Sequence, residues 1–400
     1  MLGNFNNIIE KAKLTILAIV LTFGLFGCQN ESMKENNNNY VNIKIEDNDK
    51  EYFSIEKKQS INLSALDTQS LDSLGSSTTD YVYPENIDFI PLLLSSDNIL
   101  YGEADPTGKR TELYLAAYNL STRNFEKVCN MKTKSKYTSI GVLDANKKYI
   151  VFEESDQENN VSNYYLFDLF SRKREVLHTV KDIPALHYSQ AKISDNGIML
   201  NIYDSKTKKY VNKFYDFHER KIKAIENENC GYPVYVNNTW YYLVVNNEKH
   251  ITQLIKFDYS KMTKKVVYET TENTRYISGL FSDGNNIMLT INNNNITESY
   301  KVELLKKRIV YLFESEWIES ISINKNFITW LGNATIKDRI RPQYYLVNLD
   351  NMVNYINDGG SIFLSTSGIV WINYKMPDKD ILKGEVYKNI NTSISLKKIE

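Results

Sequence analysis

Ser194-Asp195-Asn196-Gly197-Ile198-Met199-Leu200 sets a short polar turn directly before an apolar run. Asp, Asn and Gly tolerate the left-handed backbone that a tight turn demands, and Asx side chains bond their own backbone two residues on. The same device recurs as Ser96-Asp97-Asn98-Ile99, Asp144-Ala145-Asn146-Lys147-Lys148-Tyr149-Ile150, Asn237-Asn238-Thr239-Trp240, Ser282-Asp283-Gly284-Asn285-Asn286-Ile287, Asn324-Lys325-Asn326-Phe327 and Thr366-Ser367-Gly368-Ile369. From Ile99 to Ile369 there are six steps averaging about 45 residues.

A second element keeps the same period. An aromatic or apolar strand ends in a polar turn at Tyr118-Asn119, Phe167-Asp168, Tyr215-Asp216, Phe257-Asp258, Val302-Glu303, Val347-Asn348 and Tyr387-Lys388, and another strand resumes after each. A unit of this length with four short strands and no helical periodicity reads as a propeller blade, because a lone sheet cannot bury both faces and must lean on its neighbours. The chain is therefore predicted to be all-β, a seven-bladed β-propeller over residues 86–400, with six or eight blades as the alternative counts. Packing between blades accounts for the 12% aromatic content. The last repeat reads as holding all four strands, so closure needs no strand from the N-terminus. The repeats resemble the WD40-like and TolB-like propeller families, whose blades carry a similar polar turn followed by an apolar strand. No blade has the Trp-Asp dipeptide, and the resemblance implies an architecture, not an activity.

The N-terminus has a different pattern. Lys11 and Lys13 precede an apolar run from Leu14 to Phe26, broken by Thr15, Thr22 and Gly24. At about 13 residues it is short of the roughly 20 a membrane-crossing helix needs, and it reads as a secretory signal. It ends in Leu25-Phe26-Gly27-Cys28, which resembles the lipobox of bacterial lipoproteins, although Phe26 is bulkier than that family's usual residue. The resemblance implies removal of residues 1–27, a diacylglycerol on Cys28, a further acyl chain such as palmitate, and a mature protein on the outer face of the cell membrane. Each buried methylene of such chains contributes about 0.8 kcal/mol, so two or more chains hold firmly. Residues 28–39, with Asn36 to Asn39, read as a flexible tether. Residues 40–85 form an extension in which the alternation at Val41, Ile43 and Ile45 and again around Tyr52 to Ile55 predicts a β-hairpin.

Without residues 1–27 the formal charge is −2, since two Lys and one Glu leave with them. Nothing in that balance points to nucleic acid as a partner. Cys129 and Cys230 are read as buried free thiols. His178, His187, His218 and His250 stand at no metal-ligand spacing, and neither a Gly-x-Ser-x-Gly elbow nor a phosphate-cradling Gly-rich loop is present. No cofactor is expected.

The segments Glu103 to Arg110, Glu153 to Asn163, Asp204 to Tyr210, Asn292 to Glu298 and Gly332 to Pro342 read as long loops on one face. That rim is expected to be acidic at Glu103, Asp105, Glu153, Glu154, Asp156 and Glu158, and basic at Lys337, Arg339 and Arg341. Counting back six residues in each repeat gives Ile90, Tyr137, Tyr188, Cys230, Tyr276, Trp317 and Gly359, expected to enter the innermost strands at the channel mouth. Tyr137, Tyr188, Tyr276 and Trp317, with His187, Gln190, Arg275 and Glu319 beside them, are the candidate ligand-binding residues. The pattern fits a membrane-anchored binding or scaffolding propeller for a protein or cell-wall glycan; the alternative is a glycan-acting lyase or hydrolase working in the central funnel.

Overall fold

Each of the first set of polar turns closes a hairpin between the two inner strands of a blade, and the second set closes the two outer strands in blades 1–6, while Tyr387-Lys388 lies outside the described residues. In the computed structural model, seven sheets follow one another along the chain. Described are residues 44–45, 52–56, 66–74, 79–82, 87–374 (apart from 108–109, 111, 134, 136, 185–186, 227, 271–273, 295, 317, 337–338, 358–360 and 367) and 392–398. The strands of a blade are named A to D from the axis outward. In blade 2 they are Thr138–Ala145, Tyr149–Asp156, Val161–Asp168 and Lys173–Lys181. The A strands of blades 1 and 3–7 are Asp88–Leu94, Gln190–Ile193, Asn229–Val236, Arg275–Ser282, Glu319–Ile323 and Ile362–Leu364. Each A strand lies against the A strand of the next blade, and that of blade 7 lies against that of blade 1, so the ring closes.

The turns explain the period. In the C–D turns, Asn119 accepts the amides of Ser121 and Thr122, Asp168 those of Phe170 and Ser171, and Asp216 those of His218 and Glu219, at 2.8–3.0 Å. Four residues beyond the first turn residue the backbone enters the left-handed region, at Arg123, Arg172, Arg220, Met262, Lys307 and Met352, with φ between 50° and 59°. A left-handed non-glycine residue costs roughly 1–2 kcal/mol, and the amide bonds to the Asx side chain offset it. In blade 3, Gly197 starts strand B so close to its neighbour that a Cβ there would lie 2.2 Å from the Tyr215 carbonyl oxygen.

The core is divided among the joints between blades. Among the described residues seven apolar clusters form, and each is shared by two consecutive blades, including blades 7 and 1. Trp240 fills the seam between blades 3 and 4, Trp330 that between 5 and 6, and Trp371 that between 6 and 7, all nearly fully buried.

Three expectations are corrected here. Strand D of blade 7 does come from the N-terminus: β4 (Thr79–Val82) pairs antiparallel with Thr392–Lys398, with Ser393 opposite Val82. The predicted hairpin is not formed either. β1 (Lys44–Ile45) and β2 (Ser54–Glu56) do not pair with each other; β1 runs parallel to strand D of blade 4 (Thr263–Thr270) and β2 parallel to strand D of blade 5 (Arg308–Ser315). β3 (Asp67–Ser70) does the same on blade 6, parallel to Val353–Asn357. The extension is thus a belt around four consecutive blades. It sends Phe53 into the seam between blades 4 and 5 and Leu71 into that between 6 and 7, while Leu66 packs on the one between. Alternation alone does not distinguish a hairpin from strands that each find an outside edge.

The third correction concerns the long loops. Strand B of blade 2 runs to Asp156 and strand C starts at Val161, so only 157–160 connect them; the turns of blades 3 and 6 are as short or shorter. Glu153, Glu154, Ser155 and Asp156 look like loop residues but are buried strand residues.

Phe53→Ala is expected to lower stability by about 3 kcal/mol, the usual cost of removing a buried phenyl ring. The neighbouring, exposed Tyr52→Ala should cost under about 1 kcal/mol. Denaturant titration compares the two; equal effects would show that the belt does not pin the seam.

Candidate functional site: the channel mouth

The A strands all begin at the face that carries the B–C turns and the links between blades, so their first residues rim one mouth of the central channel. Ile90, Tyr137, Tyr188 and Tyr276 stand there with 50%, 50%, 66% and 44% of their surface exposed. About half of each side chain is thus open to solvent at the mouth. Cys230, at the equivalent place in blade 4, is buried. Trp317 and Gly359 lie outside the described residues, and Glu319 opens strand A of blade 6.

Blade 4 contributes a residue that repeat counting misses. A bulge between Gly231 and Val234 puts Tyr232 in the left-handed region at φ 55°, and its amide donates to Gln190 Oε1 at 2.7 Å. Burial pushes the Tyr232 hydroxyl up, and the phenols of Tyr188 and Tyr276 add to the shift. Tyr188, Tyr232 and Tyr276 therefore form one arc over blades 3, 4 and 5. The signal in the sequence was Gly231 and Pro233 flanking Tyr232, a bulge marker inside a strand.

The polar residues of the mouth are paired with the protein itself. His187 Nε2 is 2.5 Å from Glu153 Oε1 and 3.1 Å from Ser162 Oγ. Tyr164 shares the cluster, its hydroxyl 3.3 Å from Glu153 Oε1 and 2.6 Å from Ser189 Oγ. Burial pulls the His187 ring toward its neutral form, but the bond to Glu153, the Glu153 charge and the Pro184 carbonyl outweigh it, and its pKa rises. A His, a Ser and a Glu in contact invite comparison with a hydrolytic triad. There, serine and carboxylate sit on opposite ring nitrogens; here both contact Nε2, and Ser162 is fully buried.

On the other side of the arc, an Arg275 NH2 nitrogen is 2.9 Å from Glu298 Oε2 and 2.8 Å from the Tyr300 hydroxyl, which itself donates to Glu298 at 2.6 Å. Burial raises the Glu298 pKa, yet the bonds from Tyr300, Asn293 and Arg275 bring it below the usual carboxylate range. Gln190 is spent on Tyr232.

Of the expected acidic rim, only Glu158 faces solvent. Glu103, Asp105, Glu153, Glu154 and Asp156 are buried. Glu103 accepts the Ile140 amide of the next blade at 3.0 Å and pairs with Arg110 at 2.9 Å. Asp105 holds the amides of Thr107 and Arg110, and Asp156 those of Glu158 and Asn159. On the basic side, Lys337 lies outside the described residues, and Arg339 and Arg341 are in strand C of blade 6. Among the described residues no group of three or more His, Cys, Asp or Glu is placed to hold a metal ion. Cys129 and Cys230 are free, the first half-buried and the second buried; burial pushes the Cys129 thiol up to about 11 and that of Cys230 well up.

The chain matches no known family in sequence, and no curated protein matches it either. Its likeness to solved structures is one of fold. An oligogalacturonate lyase in complex with manganese superposes with a TM-score of 0.52 at 11% identity, covering 87% of this chain and 98% of the other. The β-propeller domain of the Trilobed protease from Pyrococcus furiosus gives 0.53 at 8% identity, covering 80% and 96%. That domain is described as having an open velcro topology, whereas here β4 closes blade 7.

His187 holds its proton more tightly in the fold than the ordinary value of 6.5. Its pair with Glu153 stabilises fully below that pH and fades as pH rises through the higher folded value. His178 does the opposite. Burial, then the Lys213 charge, pushes it down to about 4, so stability present above 6.5 is lost as pH falls toward 4. His187→Gln should therefore flatten the alkaline limb of a stability profile between pH 4 and 8, and His178→Gln the acid limb. Denaturant midpoints at each pH test this; an unchanged limb in either variant would contradict the assignment.

Proposed function

We propose that the chain is an exported lipoprotein, held to the outer face of the bacterial membrane through Cys28, whose channel mouth binds an extended segment of a protein or cell-wall glycan. One observation carries the binding reading: the mouth exposes Ile90, Tyr137, Tyr188 and Tyr276 while the charged side chains among them are paired inward. A surface of this kind recognises by shape and by aromatic contact, on sugar faces or on apolar side chains. Catalysis by a general acid or base needs a titratable group free to reach substrate, and His187, Glu153, Arg275 and Glu298 are engaged with one another. Anchoring rests on the lysines, the short apolar run and the Leu25-Phe26-Gly27-Cys28 sequence.

Cys28→Ala should abolish incorporation of an alkyne-tagged palmitate and move the protein out of the membrane fraction. Separately, the double variant Tyr188→Ala/Tyr276→Ala, still anchored, should lower retention on isolated cell walls, or the yield of cross-linked protein partner, at least tenfold. Retention unchanged in both assays would remove the mouth from consideration as the binding surface.

A further inference from the structure

The face opposite the mouth is built from the A–B and C–D turns, and it carries the two most exposed large apolar side chains described. Leu305 is 98% exposed and Phe170 is 78% exposed. Both sit in C–D turns: Phe170 in the turn after Asp168, and Leu305 in the short 3-10 turn Leu304–Lys306. Neither position is needed for the turn, since the backbone bonds there come from Asp168 or from the Leu304 carbonyl.

Each apolar tip is followed by basic residues, Phe170 by Arg172 and Lys173 and Leu305 by Lys306 and Lys307. The same sign holds across the face. Counting the A–B turns and the C–D turns, the latter with the first residue of strand D, eleven Lys and Arg are exposed against three Asp and Glu among the described residues. The other carboxylates are at least partly withdrawn, and Asp168, Asp216, Asp258 and Asp283 accept turn amides. An apolar tip beside a basic pair is the chemistry of a surface that meets anionic lipid: the cations find headgroup phosphates, and the tip enters the headgroup–acyl boundary.

Topology attaches the N-terminal segment at this same face. β1 is parallel to strand D of blade 4, with Lys44 opposite Thr263, the residue that leaves the C–D turn. The chain therefore joins the propeller at the turn face and runs toward the mouth face. Cys28 stands 16 positions before Lys44, a stretch that cannot exceed about 56 Å even when fully extended. A lipid on Cys28 keeps the turn face within that reach of the membrane.

We infer that the turn face is a second membrane contact, in which Phe170, Leu305 and the surrounding lysines and arginines dock on anionic phospholipid and hold the mouth away from the membrane. This rests on the anchored-lipoprotein reading for its geometry, and on the exposed tips and their charge for its chemistry.

The test uses the full protein purified with its lipid and reconstituted in vesicles of phosphatidylcholine, with or without phosphatidylglycerol. A polarity-sensitive fluorophore is attached at Phe170→Cys, Leu305→Cys or Tyr188→Cys, and quenching by nitroxide-bearing lipids is measured. Quenching at 170 and 305 is expected to exceed that at 188 at least threefold, and to fall when phosphatidylglycerol is left out. A second reporter at Lys325→Cys avoids labelling the tips, and its quenching should drop at least twofold in the background Phe170→Ser/Leu305→Ser. Equal quenching at the three sites, or quenching at the tips that ignores phosphatidylglycerol, overturns the inference. Palmitate incorporation on the same preparation reports the anchor separately: its absence refutes the lipoprotein reading, while quenching of the vesicle-bound fraction still decides which face docks.

Discussion

Among the described residues, no blade of this protein has a core of its own. Each apolar cluster belongs to a seam between two blades, so a blade stays dry only while both neighbours are in place. Closure follows from this constraint. A ring with its last strand missing would leave the outer flank of blade 7 open, and β4 fills it because it is the segment directly ahead of blade 1. The contact that shuts the ring thus joins residues 79–82 to 393–396, the strand pairing of longest sequence separation among the described residues and a late event in folding on entropic grounds.

Outer ends of the seams are closed in two ways. From blade 4 to blade 7 the belt covers them, with Phe53 and Leu71 acting as plugs. Among the described residues no belt strand joins blades 1 to 3, and their outer strands are laced by cations: Arg172 donates to the Lys127 and Val128 carbonyls and Arg174 to that of Asn130, while Arg220 and the Tyr215 hydroxyl both reach Glu175. Exposed ion pairs contribute little individually, but bonds to strand carbonyls also occupy an edge that would otherwise invite another strand. The two halves of the ring thus solve one problem with different chemistry, and only the belted half depends on the N-terminal segment.

What the sequence made legible was local and repeated. Asp168 and Asp216 write their turns in residue types that have one main use, and seven copies about 45 residues apart on average turn a weak signal into a fold. Burial was not legible where polarity opposed it. Glu153 and Glu154 read as solvated loop because carboxylates seldom enter a strand interior, yet Glu153 is matched by His187 and Glu154 by the Thr133 amide at 2.5 Å and by Arg174. Those partners are distant in sequence and cannot be found by spacing. The belt was missed for a related reason: β1, β2 and β3 carry ordinary alternation, and nothing local says which edge each will join. At the mouth, counting from the turns found Tyr188 and Tyr276 but passed over Tyr232, since a bulge adds a residue where a fixed count assumes none.

The two faces differ because their connections differ. A–B and C–D turns are tightened by local bonds, as from the Asp168 side chain in blade 2 and the Leu304 carbonyl in blade 5, which leaves the side chains at their tips without structural duty; Phe170 and Leu305 face solvent at no benefit to the turn. At the mouth the reverse holds. The connections there are fastened by long-range pairs from buried carboxylates, as Glu103 holds the Ile140 amide and Glu154 that of Thr133, so these charges are consumed in building the rim while Tyr137, Tyr188 and Tyr276 stay exposed. A rim assembled in this way is rigid, and rigidity lowers the ordering cost of binding. His187, Gln190 and Arg275, which sequence reading marked as ligand contacts, are struts of that rim, and the tyrosines beside them are its surface.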